Sequence, residues 1–183
     1  MVLHEVAHGW VASRLGDQTA RSLGRLSLKP WRHLSVVGTL MLFVVGFGWA
    51  KPVPVDFSRL RPLRGGLVLV ASAGIAANLA VAFLSLLLYR WLQPSPDGGV
   101  SVVLHVLFQV NVVLASFNLV PIPPLDGSKI LMGFASRRAQ LLLLRLEPYG
   151  FLVILALLYF KVLDPVIAAF RWAILAVLGW AVP

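Results

Sequence analysis

Two histidines and a glutamate near the start of the chain have the spacing of a metal site. The segment His4-Glu5-Val6-Ala7-His8 matches the pattern HExxH. In a helix, residues four apart lie on one face, so both imidazoles can bind one cation. Glu5 lies beside them and can take a proton from a water molecule at that cation. The pattern indicates a hydrolytic zinc centre, although five such residues also occur by chance on solvated helix faces.

A catalytic zinc ion usually has a third protein ligand, and this chain offers few candidates. The chain contains no cysteine, so any zinc ligands must be histidine or carboxylate. We expect Asp17 and Asp56, in basic stretches, and Asp97, in a loop, to be solvated. Asp126 instead follows a long apolar run and the proline-rich segment 121–124, which cannot continue a regular helix. Asp126 is therefore a candidate third ligand; the alternative is an ordinary span end with this carboxylate in water.

The composition favours a membrane protein. Of 183 residues, 59% are hydrophobic and 13% are charged. Soluble domains carry about 25% charged residues, and a small globule cannot bury so much apolar surface. The net charge of +9 would suggest nucleic acid in a soluble protein. The positions of the charges indicate a membrane surface instead, with no nucleic-acid partner.

Uncharged runs define the expected membrane-spanning segments. We predict spans at 65–92 and 98–125, because their uncharged cores exceed the roughly 20 residues that cross a bilayer as helix. Residues 34–50 form a shorter, glycine-containing run between basic flanks, which favours a re-entrant hairpin. Residues 148–183 hold two further apolar runs, which form either one span with an interfacial helix or two short spans.

The basic residues predict the orientation in the membrane. Most of the 16 lysines and arginines lie in three stretches, at 14–32, 51–64 and 129–145. The loop 93–99 has none and contains Asp97. The positive-inside rule then places the three basic stretches in the cytoplasm and this loop outside. We therefore expect an integral membrane protein whose active site opens toward the cytoplasm.

The expected fold is an all-α polytopic membrane protein, with one membrane domain over residues 1–183. A bundle of transmembrane helices would include the re-entrant element and a first helix at 1–16 carrying HExxH. Arg21–Leu28 alternates polar and apolar residues, which indicates a possible short β-hairpin at the cytoplasmic face. With Arg14 at the interface, Glu5 would lie roughly 14 Å inside, where ionisable groups are functional by default.

Several motifs together resemble a known family. HEVAH at 4–8, followed by NLVPIPPLDG at 118–127, is similar to the motifs of the site-2 protease family of intramembrane zinc metalloproteases. Three further segments resemble segments of that family: 14–28, 48–55 and 72–79. The last has Ile75 where proline is usual. The resemblance covers roughly residues 3–135 and is to the compact bacterial branch without a PDZ domain.

The resemblance implies a zinc metalloendopeptidase that hydrolyses peptide bonds in or near transmembrane segments of other membrane proteins. It implies one Zn²⁺ per chain, bound by His4, His8 and Asp126, with Glu5 as the general base. Asn118 would position substrate or stabilise the oxyanion; otherwise it is a buried hydrogen-bonding residue. The implied partners are transmembrane-helix substrates and the lipid bilayer of a bacterial cell membrane. The oligomeric state stays open.

Several other residues lie in the expected helices and hairpin. Gly74 and Asn78 lie four apart on the expected 65–92 helix, where small residues permit close helix packing; Asn78 either packs there or contacts the active site. The hairpin and its extension to residue 55 could pair with an unwound substrate by strand addition. We expect His105 to be packed or interfacial, and we assign His33 no chemistry.

The start of the chain departs from the family pattern, because only three residues precede His4. A helix over residues 1–16 would be roughly 24 Å long, against a hydrocarbon core of roughly 30 Å. A misassigned start, a fragment or a natural truncation would each explain this. The alternative function is therefore a catalytically impaired, truncated family member that binds membrane helices without cutting them. A transporter is disfavoured, because the ionisable groups converge on one site.

Overall fold

The computed structural model describes residues 1–45 and 50–181, and in these residues every regular element is helical. The α-helices are α1 Val2–Arg14, α2 Thr19–Ser22, α3 Val36–Val45, α4 Leu63–Leu92, α5 Gly99–Asn118, α6 Asp126–Phe134, α7 Arg137–Leu146, α8 Gly150–Tyr159 and α9 Asp164–Ala181. Short 3₁₀ turns are formed by Pro30–Arg32, Phe57–Arg59 and Glu147–Tyr149. The prediction of an all-α fold is confirmed.

Among the described residues, three helical segments are long and apolar enough to cross a membrane: Leu63–Leu92, Gly99–Asn118 and Arg137–Tyr159. The first two correspond to the predicted spans, although α5 ends at Asn118, before the prolines. The third joins α7 to α8 through a 3₁₀ turn. The many exposed apolar side chains on these helices would face lipid.

The chain divides into two compact units, Met1–Gly74 and Ile75–Pro183. Helix α4 runs without interruption through the boundary between them. The expectation of one domain over the whole chain stays a prediction, and each unit is described by itself.

In the first unit, a left-handed glycine ends helix α1. Gly16 has a φ of +111°, and the N–H of Asp17 donates to the carbonyl of Ala12 at 3.0 Å. This bond closes the end of the helix in the manner of a Schellman motif. The chain reverses at this point, and Ala20 then packs against Gly9 on helix α1. The turn thus covers the face of α1 that carries Gly9.

The predicted β-hairpin at Arg21–Leu28 is wrong for this structure. Helix α2 takes residues 19–22, and Gly24 then turns the chain with a φ of +62°. Only four residues of the segment remain beyond this turn, too few to fold back into two paired strands. The polar side chains of the alternation bond elsewhere: Arg25 donates to the carbonyls of Lys51 and Pro52, and the Ser27 hydroxyl accepts from the Lys29 N–H.

The predicted re-entrant hairpin at 34–50 lies partly within the described residues. Helix α3 forms one limb, and its apolar side chains are exposed, as Phe43 shows at 83%. Residues 46–49, which include Gly48 and Trp49 of the family-like segment 48–55, lie outside the described residues. The N–H of Lys51 donates to the carbonyl of His33 at 2.7 Å. The two ends of the segment are therefore adjacent, as a hairpin requires.

The core of the second unit lies where α4, α5 and α9 meet. The buried members of this core are Ile75, Ala82, Val112, Ala115, Ile174 and Leu178. Arg171 lies within the otherwise apolar α9, and its guanidinium donates to Gln109 of α5 at 2.9 Å. The C-terminal segment 148–183 thus contains two helices, α8 and α9, in its described part.

Candidate metal centre

Helix α1 places two imidazoles side by side, as the HExxH spacing predicts. The Nε2 atoms of His4 and His8 are 3.0 Å apart, and their rings are perpendicular, with centroids 4.5 Å apart. His4 is buried, with 7% of its surface exposed. The first two turns of this helix therefore bring two potential nitrogen ligands to one point.

A backbone carbonyl fixes the protonation of His8. Its Nδ1 lies 2.7 Å from the carbonyl oxygen of Val70, which can only accept a hydrogen bond. Nδ1 therefore carries the proton in the neutral ring, and the lone pair is left on Nε2, as in many metal-ligating histidines. Two nitrogens on one tetrahedral zinc ion would lie roughly 3.4 Å apart. The separation from His4 Nε2 is close to this value, so the pair fits zinc.

Gly74 makes room for the imidazoles. A Cβ atom at this position would lie 2.3 Å from Nε2 of His8 and 2.6 Å from Cε1 of His4. No side chain larger than hydrogen fits there without moving the rings. The sequence suggested helix packing for Gly74, whereas the structure places it directly against the two candidate ligands. The sequence shows that Gly74 lies one helical turn after Val70, but it does not show which distant side chains this face contacts.

Glu5 lies between the two histidines in sequence, and one of its oxygens is held by the backbone. The N–H of Val53 donates to Oε2 at 2.9 Å. Oε1 makes no hydrogen bond to the part of the chain that the structure describes. The carboxylate is therefore anchored at one oxygen, while the other can exchange a proton.

The extended segment that reaches Glu5 is itself firmly bonded. Arg25 donates from Nη2 to the carbonyls of Lys51 and Pro52 at 3.0 and 3.1 Å. The Lys51 N–H is bonded to the His33 carbonyl, and proline has no N–H to offer. The backbone of residues 51–53 is therefore already paired at these groups, which limits the predicted strand addition of a substrate to other residues.

In the second unit, Asp126 is the first residue of α6 and is 7% exposed. The prolines before it interrupt the helix as predicted, and tight turns replace it: the Leu125 N–H donates to the Ile122 carbonyl at 3.0 Å. A Cβ at Gly127 would lie 2.2 Å from the Leu119 carbonyl oxygen. The start of α6 is thus packed against the end of α5, which fixes the backbone that carries Asp126.

Asn118 is the last residue of α5, and its side chain is partly engaged. Its Nδ2 donates to the carbonyl of Leu114 at 2.9 Å. The second amide hydrogen makes no hydrogen bond to the described residues, so it is free to donate elsewhere. Asn78 is buried, with 2% exposed. The catalytic role of Asn118 stays a prediction.

The expectation that Asp17 is solvated is wrong. Asp17 is fully buried; its carboxylate accepts from the N–H and hydroxyl of Thr19 and from the N–H of Asp56 at 2.8 Å. Basic neighbours in sequence suggested a surface position, but the turn at Gly16 directs this side chain inward. The spacing Asp-x-Thr, typical of a side chain that caps its own turn, was the available signal.

The remaining candidates have structural roles or lie on the surface. Asp56 is partly exposed, and hydrogen bonds from Ser58 lower the pKa of its carboxyl below the usual value. His33 is buried and bonds through Nε2 to the Ser27 carbonyl at 2.7 Å. His105 is exposed on α5.

Comparison with known proteins identifies the family. The profile of peptidase family M50 matches residues 90–160. YwhC of Bacillus subtilis strain 168, provisionally named a zinc metalloprotease, is 38% identical over 162 residues, which cover 85% of this chain and 74% of YwhC. The chain belongs to peptidase family M50. This confirms the resemblance to the site-2 proteases.

Two further relatives of this chain are also provisionally named zinc metalloproteases. MJ0611 of Methanocaldococcus jannaschii is 29% identical over 133 residues, covering 71% of this chain and 63% of MJ0611. Rip2 of Mycolicibacterium smegmatis is 30% identical over 176 residues, covering 86% of this chain and 62% of Rip2. No solved structure matches the chain significantly. The family and the apolar helices together support an integral membrane protein with a zinc metalloprotease role.

Proposed function

We propose that this family member is an intramembrane zinc metalloendopeptidase, which hydrolyses peptide bonds in or near transmembrane segments of other membrane proteins. The observation that carries the proposal is the imidazole pair of His4 and His8, with the Val70 carbonyl holding His8 as a metal-binding tautomer. A mere surface HExxH pattern would not need a glycine at position 74 to accommodate both rings. Membership of family M50 supports the same conclusion.

We propose that His4, His8 and Asp126 together bind one zinc ion per chain. Two imidazoles and one carboxylate are a common donor set for catalytic zinc, and three protein ligands leave a fourth position for water. All three side chains are ionisable, and ionisable side chains are costly in a membrane protein unless they serve a function. Asp126 is rigidly presented by α6, which supports its part in the set.

Glu5 would then transfer the proton, and Asn118 would stabilise the developing negative charge. When bound, zinc lowers the pKa of water and polarises a carbonyl. Glu5, held at Oε2, takes the proton of the attacking water on its other oxygen and delivers it to the leaving amide nitrogen. The remaining N–H of Asn118 donates to the carbonyl oxygen of the substrate as negative charge develops.

The membrane location and the charge pattern support the proposed substrate class and orientation. A transmembrane helix has its amides hydrogen-bonded internally, so it must unwind locally before a water molecule can attack. The three basic stretches support a cytoplasmic opening for the site in a bacterial cell membrane. The exposed apolar face of α3 suits contact with lipid and with an arriving helix.

The proposal is tested with purified protein in detergent and a model substrate with a single transmembrane segment. We expect one zinc per chain and cleavage within or near the segment. Glu5→Gln should lower the cleavage rate by about 10²-fold or more, whereas Glu147→Gln, at an exposed glutamate, should leave it unchanged. Zinc binding without any cleavage by the wild type would contradict the protease and favour a helix-binding protein.

A further inference from the structure

Prolines isolate one backbone donor beside Glu5. In Lys51-Pro52-Val53-Pro54-Val55, every second residue lacks an N–H group. Val53 therefore supplies the only backbone donor between residues 51 and 55. That N–H donates to Oε2 of Glu5 at 2.9 Å.

The side chain of Val53 anchors this donor on helix α1. Val53 is buried, with 6% exposed, and its Cγ1 occupies the space left by Gly9, where a Cβ would lie 2.7 Å away. Gly9 is four residues after Glu5, hence on the same face of the helix. One residue thus contacts the helix at two successive turns, by its side chain at Gly9 and by its N–H at Glu5.

The segment is also held from its other side, independently of Glu5. Arg25 bonds the carbonyls of Lys51 and Pro52. Because Val53 precedes a proline, its own backbone is restricted to extended conformations. The position of its N–H is therefore set by the fold, and the glutamate adjusts to it.

We propose that Val53 is a positioning residue for proton transfer by Glu5. Its N–H fixes Oε2, so that Oε1 is presented to the attacking water in one orientation. Without this anchor, the glutamate side chain would have to give up its rotamer freedom at the moment of reaction. A general base that is held loosely is therefore a less efficient catalyst. The inference rests on the proposed role of Glu5 as the general base.

Three variants distinguish the effect of the Val53 N–H on catalysis from the effect of its side chain and from the effect of an added proline. Val53→Pro removes the donor and is compatible with an extended backbone. Val55→Pro places the same ring two residues later, where the N–H makes no hydrogen bond to the described residues. Val53→Ala keeps the donor and removes most of the side chain.

The readouts are kcat, KM and zinc content with the single-span substrate. We expect Val53→Pro to lower kcat by about tenfold or more, with KM and zinc content unchanged, because proton transfer alone is impaired. Val55→Pro should stay within about threefold of the wild-type kcat, whereas Val53→Ala, which keeps the donor but loses part of its anchor, should lower kcat less than Val53→Pro does. Equal kcat values for the two proline variants would overturn the proposal, and so would a loss confined to KM. An inactive wild-type protein would overturn the proposed protease function as well.

A second measurement needs neither cleavage nor a folded proline variant. Amide hydrogen exchange at Val53 reports its bond to the carboxylate. Glu5→Gln keeps an acceptor oxygen and should preserve the slow exchange, whereas Glu5→Ala should accelerate it by about tenfold or more without changing exchange at Leu60. Equal protection of Val53 in both variants would show that the contact does not exist, whatever the enzyme does.

Discussion

At the scale of the residue, the candidate centre depends on a glycine as much as on its histidines. His4 and His8 can approach because Gly74 presents no side chain to them. The Val70 carbonyl, one helical turn earlier on α4, orients the ring of His8. Both contacts come from a segment far away in sequence, and both act on ligands that the HExxH pattern alone identifies.

Gly74→Ala is expected to weaken zinc binding by about 10- to 100-fold, the range found when groups that orient metal ligands are altered. The added methyl would lie 2.3 Å from Nε2 of His8 and would turn the ring away from its lone-pair direction. Zinc content after titration with a chelator measures the effect. Gly179→Ala is the matched control, because its Cβ would have no neighbour within 4 Å. Unchanged affinity in Gly74→Ala would show that the rings can move without cost.

At the scale of the element, buried Asp17 joins the end of α1 to the start of α2 and to the 3₁₀ turn at Phe57–Arg59. It does so through bonds to Thr19 and to the Asp56 N–H. The extended segment that carries Val53 ends at this turn. The carboxylate therefore helps hold the elements on which the position of Glu5 depends.

Asp17→Ala should destabilise the protein by about 2–4 kcal/mol, because it leaves buried N–H groups without acceptors. Asp97→Ala, at an exposed position in the loop between α4 and α5, should change stability by less than about 0.5 kcal/mol. Chemical unfolding in detergent micelles, followed by circular dichroism, compares the two. If both variants unfold at the same denaturant concentration, Asp17 contributes no net stability and its bonds are replaced by water.

At the scale of the whole molecule, the charge pattern predicts which loops share a side of the membrane. The chain has no cysteine, so single cysteines report accessibility without background. We expect Ser95→Cys to react with an impermeant thiol reagent added outside intact cells, and Ser136→Cys to react only after the membrane is opened. Zinc content of both variants serves as the control for folding. The reverse pattern of labelling would invert the orientation and place the opening of the site outside.

The sequence by itself determined the candidate ligands and much of the architecture. Helical spacing puts His4 and His8 on one face, whatever the surrounding fold. Long apolar runs require helices in a bilayer, and prolines at 121–124 had to end α5. Each of these features depends only on a short stretch of the chain, so the sequence of that stretch is enough to predict it.

Only the tertiary structure decided how those residues are held. Four contacts join residues that are far apart in the sequence with no regular spacing between them: the Val70 carbonyl at His8, Gly74 against both rings, the Val53 N–H at Glu5 and the Asp56 N–H at Asp17. The β-hairpin predicted at Arg21–Leu28 failed for a local reason, because a left-handed turn at Gly24 decided the path of the chain. Ligand identity is a property of side-chain type and local spacing, whereas tautomer, anchoring and burial depend on which distant backbone groups the fold brings within hydrogen-bonding distance.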